Sequence, residues 1–202
     1  MEVKIYESDL PKNVSLQGDI AIDTETMGLD ILRDRLCLLQ ISDEANNTYI
    51  IKFNKIYESV NLKALLLDKD RTKIFHFARF DLSVIQYYLN VKLENIFCTR
   101  TASKLCRTYT DSHSLKELCK ELLGIQISKQ QQCSNWGKKK LSKEQISYAA
   151  NDVLFLHKIR DELIERLKEE NRLQIAKKVF EFIPIRSELD IIGWREVDIF
   201  AH

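Results

Sequence analysis

The 202-residue sequence is short of punctuation, with five glycines and two prolines, Pro11 and Pro184. A flexible or proline-rich linker would draw on more of both, so no hinge between separate domains is expected. No internal repeat or low-complexity tract is present. The five cysteines, at positions 37, 98, 106, 119 and 133, contain no C-x-x-C pair and no close-set framework. They read as reduced thiols of a cytoplasmic protein. No apolar signal segment opens the chain, and no apolar run approaches the ~18 residues of a membrane span. Charge of one sign is also lacking: 31 Lys and Arg stand against 30 Asp and Glu. That balance excludes long-range attraction of nucleic acid by the whole molecule, so such a partner needs a local basic patch.

What is present is an ordinary globular composition, 45% hydrophobic and 30% charged, enough for one sizeable core. The pattern predicts one domain over residues 1–182 and an ordered tail, 183–202, packed on it. "DIAIDTE", "RLCLLQISD" and "NTYIIKF" read as three closely spaced strands, an antiparallel meander. "NLKALLLD" is helical, "TKIFHF" a short buried strand, and "ARFDLSVIQYYLN" an amphipathic helix. "IFCTRTASKLC" passes from strand to helix. "SLKELCKELLG" is a helix from N-cap Ser114 to stop signal Gly124. The long helical pattern after Ser142, whose capping-box partner is Gln145, must break at least once. The expected fold class is α/β: a mixed sheet, antiparallel then parallel, flanked by helices.

The stretch "DIAIDTETMGLD" poses a physical problem. Its apolar run reads as a buried strand, yet it ends in Asp23 and Glu25, which alternation places on one face. At ~4 Å and an effective dielectric near 20, two such charges repel by ~4 kcal/mol. Asp81 lies near a helix start, and Asp152 lies on an otherwise apolar helix with Tyr148 one turn before it. Singly, each has a bland reading: strand-end acids in water, a helix-dipole partner, a surface Tyr–Asp pair. Together, four carboxylates in one cleft call for divalent cations, and oxygen-only ligands select hard ions such as Mg²⁺ or Mn²⁺.

"DTET" at 23–26, "IFHFARFDL" at 74–82 and "YAANDVLFL" at 148–156 resemble the three motifs of the DEDD exonuclease superfamily. The Tyr148-x-x-x-Asp152 form resembles its tyrosine-containing branch. Ribonuclease D is the nearest likeness, extending through "SNWGKKKLSKEQISYAANDV" and covering roughly residues 15–165. The resemblance implies a ribonuclease H-like fold and hydrolytic 3′-5′ release of nucleoside monophosphates from RNA with two divalent cations. It implies that Asp23, Glu25 and Asp152 hold one metal and that Asp23 bridges to a second. Asp81 would contact that second ion directly or through water, and Tyr148 would orient the attacking water. A phenol of pKa ~10 is a poor base at neutral pH, which suits a positioning role.

Two departures stand out. Many superfamily members carry Asn four residues before the second-motif acid, where this chain has Phe77, after His76. The C-terminal helical nucleic-acid-binding domains of ribonuclease D have no counterpart here, so the chain resembles short single-domain forms.

Thr26, Met27 and Leu29 occupy positions that in the family line the slot for the 3′-terminal nucleotide; core packing is the competing reading of Met27 and Leu29. His76 is either a substrate-side residue or a satisfied core histidine. Lys129 and Trp136, with Ser134, would meet phosphate or cover the site, against an alternative in which Trp136 simply packs on the body. The run Lys138, Lys139, Lys140 and Lys143 is the sharpest basic patch, a solvated face or a phosphate guide. Phe77, Phe80 and Trp136 are the aromatics that could stack on bases. A DNA exonuclease of the same chemistry and a non-catalytic nucleic-acid-binding module remain open alternatives.

Overall fold

Continuous apolar runs such as Ile20–Ile22 and Leu36–Leu39 have no polar face, so both sides of their sheet must be covered. A computed structural model of the chain describes residues 3–127 and 134–201. Its strands are β1 (Val3–Glu7), β2 (Ile20–Thr26), β3 (Leu36–Asp43), β4 (Thr48–Lys52), β5 (Lys73–Phe75) and β6 (Ile96–Cys98). They form one sheet in the order β1-β4-β3-β2-β5-β6. β2–β3 and β3–β4 are antiparallel, while β2–β5 and β5–β6 are parallel. The meander and the two parallel strands thus follow the expected mixed architecture. The sequence reading missed β1, a half-exposed edge strand that pairs in parallel with β4. Its exposure leaves little apolar alternation to detect.

The helices are α1 (Val60–Leu66), α2 (Ala78–Leu89), α3 (Thr99–Cys106), α4 (Leu115–Leu123), α5 (Lys143–Leu154), α6 (Leu156–Glu169) and α7 (Leu173–Ile191). Ser114 caps α4 by accepting from the Glu117 amide, and Gly124 ends it in the left-handed region. Ser142 and Gln145 close the capping box of α5. The long helical pattern breaks twice, at Phe155 and again between Glu169 and Leu173. α7 runs past residue 183, where the tail was expected to begin, and continues to Ile191 with Pro184 inside. Its later half is fixed by Asp190, buried and gripped by both Arg79 of α2 and Arg186. Beyond α7, Arg79 and Arg186 also donate to the carbonyl of Arg195. No helix among the described residues is long and apolar enough to cross a membrane.

Alternation in the strands divides the core. Leu39, Ile41, Tyr49 and Ile51 face the large cluster built with α2, α3, α6 and α7. Leu38 and Ile50 face a smaller one with Trp136, Leu141 and Ala149. α5 therefore covers the face on which Asp23 and Glu25 emerge.

Candidate active site

Asp23 pairs in register with Gln40 of β3, and Glu25 with Leu38, so both acids share the α5 side of the sheet. The register shifts between Glu25 and Thr26, a bulge at the strand end that redirects the backbone just past the two acids. Across from them, α5 presents Tyr148 and Asp152 one turn apart. Asp23, Glu25 and Asp152 each offer a carboxylate oxygen, and these oxygens lie within 4.8 Å of one another. Asp81, in the first turn of α2, lines the same cleft as Asp23, Tyr148 and Asp152. The four predicted acids and Tyr148 are therefore neighbours.

Their charges are costly as they stand. Burial first, then repulsion from Asp81, Asp152 and Glu25, pushes the Asp23 carboxyl well above the usual range. Glu25 is raised by burial and by Asp152 and Asp81. Asp152, raised by burial and eased by the Tyr148 hydroxyl, titrates at about 7. Asp81 is also raised to about 7 by burial, against two opposing hydrogen bonds from Thr24. Burial and the neighbouring carboxylates push the Tyr148 phenol far above its ordinary value, so it stays protonated.

Two supporting contacts escaped the sequence reading. The Gln40 amide donates to Asp23 Oδ2 at 3.1 Å, and Thr24 donates to Asp81 Oδ1 through its amide at 3.1 Å and its hydroxyl at 2.6 Å. A signal for Gln40 existed: it is a polar residue inside the apolar run of β3, and buried polar groups need partners. Thr24 carried no such signal, since a threonine is unremarkable in a strand.

The substrate-side candidates divide. Thr26 is buried, its hydroxyl donating to the Gly28 carbonyl. Met27 and Leu29 are 47% and 72% exposed, which removes core packing as their explanation. Met27 is pinned by its amide to the Arg35 carbonyl at 3.1 Å. With Thr26, Glu25, Trp136 and Tyr148 these two line one side of the cleft. His76 faces the other side, its Nδ1 2.9 Å from the Thr99 hydroxyl. Trp136 is only 2% exposed and packs with its ring centroid 6.0 Å from that of Tyr148. It backs the tyrosine instead of offering a free stacking face, because Leu38 and Ile50 bury the indole. Lys129 lies outside the described residues. Lys138, Lys139, Lys140 and Lys143 are exposed. Their loop is tied to the sheet by Lys52, which donates to the Lys139 carbonyl at 2.6 Å. A larger cavity, about 690 Å³, lies at the far ends of β5 and β6; its acids are already paired, Asp19 and Asp161 with Arg160, Glu94 with Lys69 and Glu181 with Lys178.

Comparison with known proteins agrees with this geometry. Residues 4–168 match a family described as 3′-5′ exonuclease. The chain is 33% identical over 178 residues to DNA polymerase I of Aquifex aeolicus, covering 85% of this chain and 29% of that protein. It is 31% identical over 154 residues to ribonuclease D of Gluconacetobacter diazotrophicus, covering 76% and 39% respectively. The chain thus spans less than half the length of these curated relatives. Among solved structures, Brucella melitensis NrnC bound to pGG superposes with a TM-score of 0.96 at 48% identity, covering 100% of this chain and 99% of that one. The same Brucella protein with bound Mg²⁺ gives a TM-score of 0.94 at 46% identity, covering both chains fully.

Proposed function

Because this chain belongs to the 3′-5′ exonuclease family, we propose that it hydrolyses nucleoside monophosphates from the 3′ ends of RNA with two divalent cations, Mg²⁺ or Mn²⁺. The observation that carries the reading is the convergence of Asp23, Glu25 and Asp152 within 4.8 Å. A donor set of carboxylates, all three raised by burial and Asp23 and Glu25 also by their acidic neighbours, fits hard dications. Asp23, Glu25 and Asp152 would hold one ion, and Asp23 with Asp81 the other. When bound, such a pair supplies Lewis acidity at the phosphate and a more acidic water.

The chain's own groups do the rest. Gln40 fixes Asp23, Thr24 fixes Asp81, and both hold their carboxylates at set positions. Tyr148 stays protonated, so it orients water by hydrogen bonding and does not act as the base. Thr26, Met27 and Leu29 form the slot for the terminal nucleoside, and the exposed lysines near α5 meet backbone phosphate. NrnC, the relative that binds the short ligand pGG, supports short RNA ends among the substrates. A reducing cytoplasmic setting suits the free buried thiols Cys37, Cys98, Cys106 and Cys119.

A second reading, a DNA exonuclease of the same chemistry, draws on the likeness to DNA polymerase I. Digestion of 5′-labelled RNA and DNA of one sequence with Mn²⁺ separates the two. Faster one-nucleotide shortening of RNA is expected, with EDTA stopping it. Preference for DNA favours the second reading, and binding without cleavage favours a non-catalytic module.

A further inference from the structure

The cleft has a second side, away from Met27 and Leu29. It contains His76, Phe77, Arg100 and Lys116. It shares Asp23, Thr24, Phe80, Tyr148 and Asp152 with the first side, so the two chambers meet at the carboxylates. A scissile phosphate at the acids would therefore have a nucleoside on either hand.

We propose that Phe77 is the stacking platform for the nucleobase 5′ to the scissile phosphate, with Arg100 supporting the ring; this rests on the exonuclease reading. Of the three aromatics that could stack on bases, Trp136 is buried and Phe80 packs against the core. Phe77 is 46% exposed at the rim. The Arg100 guanidinium lies 5.0 Å from its ring centroid, and no carboxylate among the described residues forms an ion pair with Arg100. A base on Phe77 would thus find an aromatic surface whose cation can also meet the adjoining phosphate.

The backbone strengthens the case. Phe77 caps the start of α2 with φ 74° and ψ 46°, the left-handed region. A bulky aromatic rarely adopts it, and Asn does so far more readily. Here a strained aromatic stands four residues before Asp81, where folding alone would favour a residue suited to that conformation. Strain of this kind persists where surrounding structure imposes it, and it gathers at functional sites.

Phe77→Asn tests this, because it relieves the backbone while deleting the ring. Steady-state kinetics on short RNA would compare wild type, Phe77→Asn and Phe77→Tyr, using oligonucleotides intact or abasic at the last or the penultimate nucleotide. KM of Phe77→Asn should rise about tenfold, more than kcat changes, with a melting temperature at or above wild type. Phe77→Tyr should restore KM. The penultimate abasic site should raise KM about tenfold in wild type but less than about twofold in Phe77→Asn, whereas a terminal abasic site should penalise both equally. An unchanged KM in Phe77→Asn, or a penultimate penalty equal in both proteins, overturns the proposal. Should wild type cleave nothing, the exonuclease reading fails instead. Kd values of the same oligonucleotides in Ca²⁺ then decide the stacking by the same cycle.

Discussion

The Thr24 hydroxyl lies 2.6 Å from Asp81 Oδ1, and the amide of the same threonine donates to the same oxygen. The residue between the two strand acids thus orients a third acid, on α2. Both bonds favour ionised Asp81 against the burial that raises it. Thr24→Val keeps the shape and removes the hydroxyl. Asp81 should then titrate higher, and the Mg²⁺ needed for half-maximal activity at pH 7 should rise roughly tenfold, as expected for losing a charge-assisted hydrogen bond of about 1.5 kcal/mol. A Mg²⁺ titration of activity checks this; an unchanged midpoint would show that Thr24 does not tune the acid.

The raised carboxyls make stability depend on pH in an unusual sense. Asp81 and Asp152 titrate at about 7 in the folded chain, against about 4 when unfolded. Between those values the folded state holds more protons, so in EDTA these groups lower stability as pH rises. The wild-type melting temperature should fall by several degrees from pH 5 to 7.5 without metal. Asp152→Asn should melt higher than wild type at pH 7.5, and added Mg²⁺ should reverse that order. A wild-type melting temperature that climbs through this window in EDTA would contradict the repulsion described.

Tyr148 packs on Trp136, so removing its hydroxyl leaves the ring contact in place. Tyr148→Phe should keep KM and lower kcat by ~10- to 100-fold, the scale of misplacing one reactant. Asp23→Ala should lower it much further. Because the phenol is held far above its ordinary value, no limb of the rate profile below pH 9 should belong to it. A wild-type limb near neutrality that vanishes in Tyr148→Phe would make the tyrosine a base after all.

Gly137 bears on the nucleoside slot. A Cβ there would stand 2.5 Å from the Met27 sulfur and 3.0 Å from Arg35 Nη2. Both are ends of flexible side chains, so Gly137→Ala should fold with a melting temperature within a few degrees of wild type. The displaced methionine should raise KM several-fold with a smaller effect on kcat. Equal KM values would mean that Met27 is not a slot residue.

Asp23 with Glu25, and Tyr148 with Asp152, were legible because strand and helix periodicities fix which side chains share a face, whereas joining Asp81 and the two pairs into one site rested on the resemblance of the three motifs. Buried strands, the meander and the two serine caps were legible for similarly local reasons. What escaped depended on long-range packing. β1 is recognisable only beside β4, and α7 runs through Pro184 because Asp190 is held by Arg79, over a hundred residues earlier. The burial of Trp136 likewise needed its neighbours, as did the exposure of Phe77.

The central claim is that Asp23, Glu25, Asp81 and Asp152 form a cage for divalent cations, and calorimetric titration with Mn²⁺ tests it most directly. Wild type should bind Mn²⁺ at pH 6.5 with an enthalpy that varies with the buffer, because raised carboxyls release protons as metal enters. Asp23→Ala should show neither binding nor proton release. Equal binding by both proteins, with no buffer dependence in either, would contradict the account.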